Sequence, residues 1–221
     1  MEHKEFIPLS YHEPDMIQVS ASAKGFRNIM EERRSVRFFS AKDVPCEIIE
    51  DIIMTASSAP SGAHKQPWSF CVVSEPEMKY KIRVAAEKEE FENYNGRMSD
   101  EWLKDLEKFD TNWNKEFLTT APYLIIIFKK AYDLNEQGAK LKNYYVTESV
   151  GIAVGFLIAA IHMAGLVTLT HTPSPMNFLQ EILQRPDNER PFLLLPVGFP
   201  AEDAVVPNLI RKSASDVITW Y

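Results

Sequence analysis

The run Tyr123-Leu124-Ile125-Ile126-Ile127-Phe128 contains no charged or small polar residue. A run this short and this rich in β-branched side chains reads as a strand, and without polar alternation it has to be covered on both faces. Phe192 to Val197 is a second such run, and Trp68 to Val73 and Leu166 to Thr172 are β-rich. The covering layers are also legible. Ile48, Ile49, Ile52, Ile53 and Ala56 recur at helical spacing behind Asp43 and Pro45 until the break at Ala59 to Gly62. Pro76 opens another helix, and Phe178, Leu179, Ile182 and Leu183 form a short amphipathic one. Asn143 to Ala164 reads as a long helix carrying Gly151, Ala153, Gly155, Ala159 and Ala160, a small-residue face that lets another helix approach closely. Ser20 or Ser22 caps a helix over Ala23 to Glu32. The order predicts an α+β domain over residues 20–221 behind an arm at 1–19, with a central mixed sheet covered by helices.

The net charge of −7 over 221 residues argues against general binding to nucleic acid or anionic membrane. Met1 to Ser10 has no apolar signal-peptide core, and the apolar stretch Val150 to Ile161 is too short for a bilayer, so it reads as a buried helix without a membrane partner. Cys46 and Cys71 lack C-x-x-C spacing; they read as core residues of a cytoplasmic protein. The five histidines never fall at metal-binding spacing, and no metal site is expected. There is no G-x-G-x-x-G after a strand and no G-x-x-x-x-G-K-[ST], so a Rossmann site and a P-loop are not indicated.

Residues 85–110 hold nine acids and four bases, five of the seven net negative charges. Phe91, Tyr94, Trp102 and Phe109 are interleaved with them and Gly96 interrupts the pattern, which suits a pair of surface amphipathic helices. Over about 85–115 this segment reads as a lid.

Against that acidic background, Arg33, Arg34 and Arg37 place three guanidinium groups within five residues. They suit a phosphate, or else a solvated basic turn paired with Glu31 and Glu32. Pro60-Ser61-Gly62-Ala63-His64 lies between a helix and a strand, where bare backbone N–H groups can meet a ligand or simply form a turn. Thr170-His171-Thr172 stands at a strand end before Pro173.

Arg33-Arg34-Ser35-Val36-Arg37-Phe38-Phe39, Ala59-Pro60-Ser61-Gly62-Ala63-His64 with Pro67-Trp68, Thr111-Asn112-Trp113, Ala164-Gly165-Leu166-Val167-Thr168 and Leu195-Pro196-Val197-Gly198 resemble, in order, the flavin-dependent nitroreductase superfamily. Glu90, Tyr94 and Lys115 together resemble its iodotyrosine deiodinase family. The resemblance implies a nitroreductase-like fold, an intertwined homodimer, and one FMN at each of two interface sites. It implies cofactor contacts from Arg33, Arg34, Ser35, Val36, Arg37, Ser61, Thr170, His171, Thr172 and Arg211. Thr172 is the implied catalytic residue, its hydroxyl at flavin N5 favouring one-electron steps. Ala63 is implied to meet the substrate phenolate, and Glu90, Tyr94 and Lys115 to grip the zwitterion of a halogenated tyrosine. The implied activity is reductive dehalogenation, iodotyrosine giving tyrosine and iodide, with an external NAD(P)H system as reductant. A broad NAD(P)H-dependent nitroreductase and a non-catalytic flavin-binding protein are the alternatives.

Overall fold

The structure, a computed structural model, describes residues 6–221. They form two compact units, one ending at Arg33 and the other Arg34–Tyr221. The first holds α1 (Met16–Glu32), capped by Asp15, whose carboxylate accepts the Gln18 N–H at 2.7 Å. The helix starts seven residues before the expected Ala23: Ser20 and Ser22 lie inside it, because Asp15 already satisfies the first free N–H groups.

The second unit runs α2 (Cys46–Ser57), β1 (Trp68–Val73), α3 (Pro76–Glu92), α4 (Asp100–Glu107), α5 (Phe117–Thr120), β2 (Tyr123–Lys130), β3 (Tyr132–Leu134), β4 (Lys140–Lys142), α6 (Val146–Met163), β5 (Val167–Thr168), α7 (Asn177–Ile182), β6 (Glu189–Gly198) and α8 (Ala214–Val217). Its main sheet has the order β1-β2-β6-β5, and β3 and β4 form a separate hairpin. Every pairing between these strands is antiparallel. The expected mixture of directions is confined to one parallel bridge, Ser35 to Thr168.

β2 is central, and Leu124 to Phe128 are fully buried, each worth about 1.5–3 kcal/mol relative to exposure. Side chains alternate across a strand. Ile125 and Ile127 therefore join Ile49, Ile52 and Ala56 of α2 and Val150, Ala153, Val154, Leu157 and Ile161 of α6 on one face. Leu124, Ile126 and Phe128 join Ile82 and Ala86 of α3, Leu118 of α5 and Leu179 of α7 on the other.

Three expectations change. The strand expected over Leu166 to Thr172 is regular only at Val167–Thr168, yet His171 still bridges Leu194 in the register set by Thr168 and Val197. Cys46 is exposed at the start of α2, and Cys71 is half-buried. α6 extends beyond its apolar run; it is long and apolar enough to cross a membrane by length and composition, and 33% of it is buried. It is therefore a one-faced helix, with Ile152, Phe156 and Met163 exposed.

Gly198 closes the register of β5 on β6, pairing with Val167. A Cβ there would stand 2.5 Å from Cδ of Pro122, so Gly198→Ala should destabilise by about 1–3 kcal/mol. Urea unfolding checks this: an unchanged midpoint means the Pro122 ring yields freely.

Candidate functional site

Residues 34–40 run extended along the sheet edge. The Val36 N–H donates to Thr168 O at 3.2 Å and the Ser40 N–H to Phe199 O at 2.9 Å. Val36 and Phe39 are buried while Ser35 and Phe38 are exposed, with Arg34 and Arg37 between. The strand pairing thus turns Val36 inward, and it bounds the site through its backbone. Arg34 donates through Nη2 to Pro207 O.

Arg37 forms a wall common to two clefts. One, of about 220 Å³, is also lined by Ser35, Lys108 and Phe109; the other, of about 250 Å³, by Thr111, Asn112 and Phe117. Its guanidinium lies 5.8 Å from the centre of the Phe109 ring. Burial lowers its pKa from the ordinary value, and neighbouring Tyr94 raises it in part.

The second cleft borders a buried charge pair. Lys115 Nζ stands 3.1 Å from Glu90 Oε2, with both side chains nearly enclosed. The ammonium also donates to Asn112 O, reaches Thr111 Oγ1 at 3.5 Å, and sits 5.5 Å from the centre of the Tyr94 ring. Tyr94 donates its hydroxyl to Thr111 O at 3.2 Å. Burial lowers the Lys115 pKa; Glu90 opposes that shift and Arg37 adds to it. Burial raises that of Tyr94, while the Thr111 hydrogen bond lowers it in part.

His171 lies between two exposed threonines, Thr170 and Thr172. Its backbone pairs with Leu194 in both directions, at 2.9 and 3.1 Å, and its ring stands edge-on to Phe117. The alternation of an extended chain puts Thr170 and Thr172 on the side opposite His171. The ring is buried with Nε2 unpartnered among protein atoms. Burial, with the positive charges of Lys115 and Arg37, pushes its pKa down to about 3.

The Ser61 to Gln66 turn belongs to the other face of the sheet. The Gly62 N–H donates to Ser149 Oγ of α6 at 3.3 Å, and a Cβ on Gly62 would meet Tyr144 O at 2.9 Å. Glycine is needed there by close approach alone. Ser61 Oγ accepts the Gln66 N–H at 2.8 Å, while Ala63, His64 and Gln66 take left-handed backbone conformations. These cost of order 1–3 kcal/mol each.

The nitroreductase family model matches residues 30–199. The chain belongs to the nitroreductase family. A relative named iodotyrosine deiodinase, from Haliscomenobacter hydrossis, is 62% identical over 98% of this chain and 97% of its own length. Human iodotyrosine deiodinase 1 is 47% identical, over 98% of this chain and 75% of its own. The crystal structure of oxidized iodotyrosine deiodinase bound to FMN and 3-iodo-L-tyrosine superposes with a TM-score of 0.76 at 30% identity, covering 89% of this chain and 98% of that one. This chain is thus similar to deiodinases along nearly its whole length.

For a nitroreductase-family chain, Arg34, Ser35 and Arg37 on one segment bridged to the sheet edge are a donor set with the chemistry of a phosphate site. Thr170 and Thr172, exposed on the side opposite the buried His171 ring, add two hydroxyls, so the residues present fit FMN. Glu90, Tyr94 and Lys115 converge, with Arg37 and His171 in electrostatic reach. Ser61 and Ala63 stand across the sheet from them, Arg211 lies in an exposed stretch near the C-terminus, and Arg33 ends α1 with its N–H on Met30 O. Thr111 and Asn112 enter the sequence reading only as part of a family motif, without a role; in the fold they hold the Lys115 ammonium, four and three residues after them.

Because His171 stays neutral in the fold, the unfolded chain takes up one more proton as the pH falls below 6.5. Stability is therefore lost from pH 6.5 down toward 3, by about 1.4 kcal/mol per pH unit. His171→Asn should lose that share of the slope. Urea midpoints between pH 6.5 and 4.5 measure it, and identical slopes in both proteins would show that His171 takes up its proton in the fold as readily as in the unfolded chain.

Proposed function

We propose that this chain carries out FMN-dependent reductive dehalogenation of halotyrosines. The buried Glu90–Lys115 pair with Tyr94 beside it, bordering a cleft walled by Arg37, is the observation that carries the reading. A free α-amino acid presents an ammonium and a carboxylate a few bonds apart. Glu90 takes the first, Lys115 the second, and the Tyr94 hydroxyl assists. Charge-assisted contacts in so enclosed a place are stronger than on a surface. A nitroaromatic carries no zwitterion for this pair, which favours the deiodinase reading over a broad nitroreductase.

Arg34, Ser35 and Arg37 hold the FMN phosphate and ribityl chain, and Thr170 and Thr172 meet the ring. Reduced FMN supplies the two electrons that, with one proton, convert iodotyrosine to tyrosine and iodide. The Ala63 N–H donates to the substrate phenolate oxygen and orients the halogenated ring. Thr172 is the hydroxyl donor to the flavin. A reductant of the NAD(P)H class restores the electrons, in a cytoplasmic setting that suits two thiols outside any disulfide.

A second copy of the chain completes the site in this reading. The turn that carries Ser61 and Ala63 meets α6 through the Gly62 N–H on Ser149 Oγ, across the sheet from Arg37 and Lys115, which supports a cleft completed by a partner's turn. α6 supports this: Ile152 and Phe156 are exposed and a Cβ on Gly151 or Gly155 would meet nothing, a face open to a twin helix. Ile210 and Trp220, also exposed, extend the apolar surface available to a partner.

Glu90→Gln removes a charge at constant shape. Losing one such charged hydrogen bond, about 1.5–3 kcal/mol, should weaken iodotyrosine binding by about one to two decades at unchanged FMN content; FMN fluorescence quenching reads it, and undiminished affinity refutes the clamp. Phe156→Asp should give a monomer in sedimentation equilibrium that no longer retains FMN. A monomer that keeps its flavin would show that one chain completes the site.

A further inference from the structure

Lys79, Arg83, Glu87 and Glu90 follow one another on α3 at spacings of four, four and three, so they share one face. That face meets the segment 111–121 rung by rung. Lys79 Nζ donates to Ala121 O at 2.9 Å and to Thr119 O at 3.2 Å. Arg83 donates to Thr119 Oγ1 and to Asn114 Oδ1, both at 3.0 Å. Glu87 Oε1 accepts Arg83 Nε–H at 2.7 Å and the backbone N–H of Lys115 at 2.8 Å. Glu90 then meets the Lys115 ammonium itself.

The geometry has a consequence for the clamp. Residues 111–116 form no regular secondary structure, and a charge borne by such a segment is placed only as well as its supports place it. Ile82 and Ala86 are fully buried and fix α3 against the sheet. Glu87 is the link from that fixed helix to the Lys115 backbone, and Arg83 holds Glu87 in place while gripping Asn114 next to Lys115.

We propose that Arg83 and Glu87 are positioning residues that set the distance between the Glu90 carboxylate and the Lys115 ammonium, and so determine selectivity for a zwitterionic amino acid over a bare halophenol. This rests on reading Glu90 and Lys115 as the zwitterion clamp. Neither residue lines either cleft, so their loss acts through Lys115 and on the zwitterion end of the ligand only.

The test uses the FMN-loaded protein, with 3-iodotyrosine and 2-iodophenol as probes of flavin fluorescence. Glu87→Ala should weaken iodotyrosine binding tenfold or more, leave 2-iodophenol affinity within twofold, and leave FMN content unchanged. Glu87→Gln keeps an acceptor for the Lys115 N–H and should restore binding to within about threefold of wild type. In a Lys115→Met background, Glu87→Ala should add less than twofold, because the group it positions is gone. Should Glu87→Ala not fold, Arg83→Met carries the same test, with a smaller loss in the same direction. Equal losses for both ligands, no loss for either, or full additivity with Lys115→Met overturns the positioning role. Wild-type protein that binds iodotyrosine no tighter than 2-iodophenol overturns the clamp and this proposal with it. Wild-type discrimination that survives in both variants overturns the positioning role alone.

Discussion

Burial of β2 on both faces is the constraint from which the rest of the second unit follows. A strand whose five central side chains are wholly enclosed requires two apolar layers, and α2 with α6 supplies one while α3, α5 and α7 supply the other. The same requirement partitions the chemistry. Side chains brought in by α3 and the segment before α5 lie on one side of the sheet, and the turn before β1, packed on α6, lies on the other. No loop of a few residues carries groups through a closed layer of Leu and Ile, so within one chain the turn before β1 and the α3 groups stay on opposite sides.

Charges on the α3 side are paired group by group. Lys115 meets Glu90, and Glu87 accepts from Arg83 and the Lys115 N–H, while Arg37 is positive and His171 is held neutral by burial and by the charges of Lys115 and Arg37. In a chain of net charge −7, a half-buried guanidinium is not a solvation device. Desolvation lowers both Arg37 and Lys115, and an anionic group entering the clefts relieves that penalty. Phosphate, carboxylate and phenolate, the three anionic groups of FMN and a halotyrosine, share this chemistry.

Much of the site was legible as chemistry without being legible as place. Arg34, Ser35 and Arg37 stand close in sequence, so bringing them together needed only the local backbone. Glu90 and Tyr94 are four apart on a helix turn, and Gly96 marks the end of that helix, as the π-helical turn Asn93–Arg97 confirms. Lys115 was identifiable only through family resemblance, because twenty-odd residues of loop and helix separate it from Glu90. Asp15 caps α1 ahead of Ser20 and Ser22, which stand nearer the apolar positions, while α6 (Val146–Met163) lies within the Asn143 to Ala164 that its spacing predicts.

The chain by itself determined its local periodicities: which segments are strands covered twice, which helices have one apolar stripe, and which clusters of like residues carry unusual charge. These depend on side-chain spacing of two or about 3.6 residues and on turn chemistry, all written within a few positions. Tertiary structure alone decided the direction of the strands, the face on which each site residue lies, and the meeting of Glu87 with the Lys115 backbone. These depend on contacts between residues distant in sequence, where the pairing is selected by burial and register rather than by any local pattern.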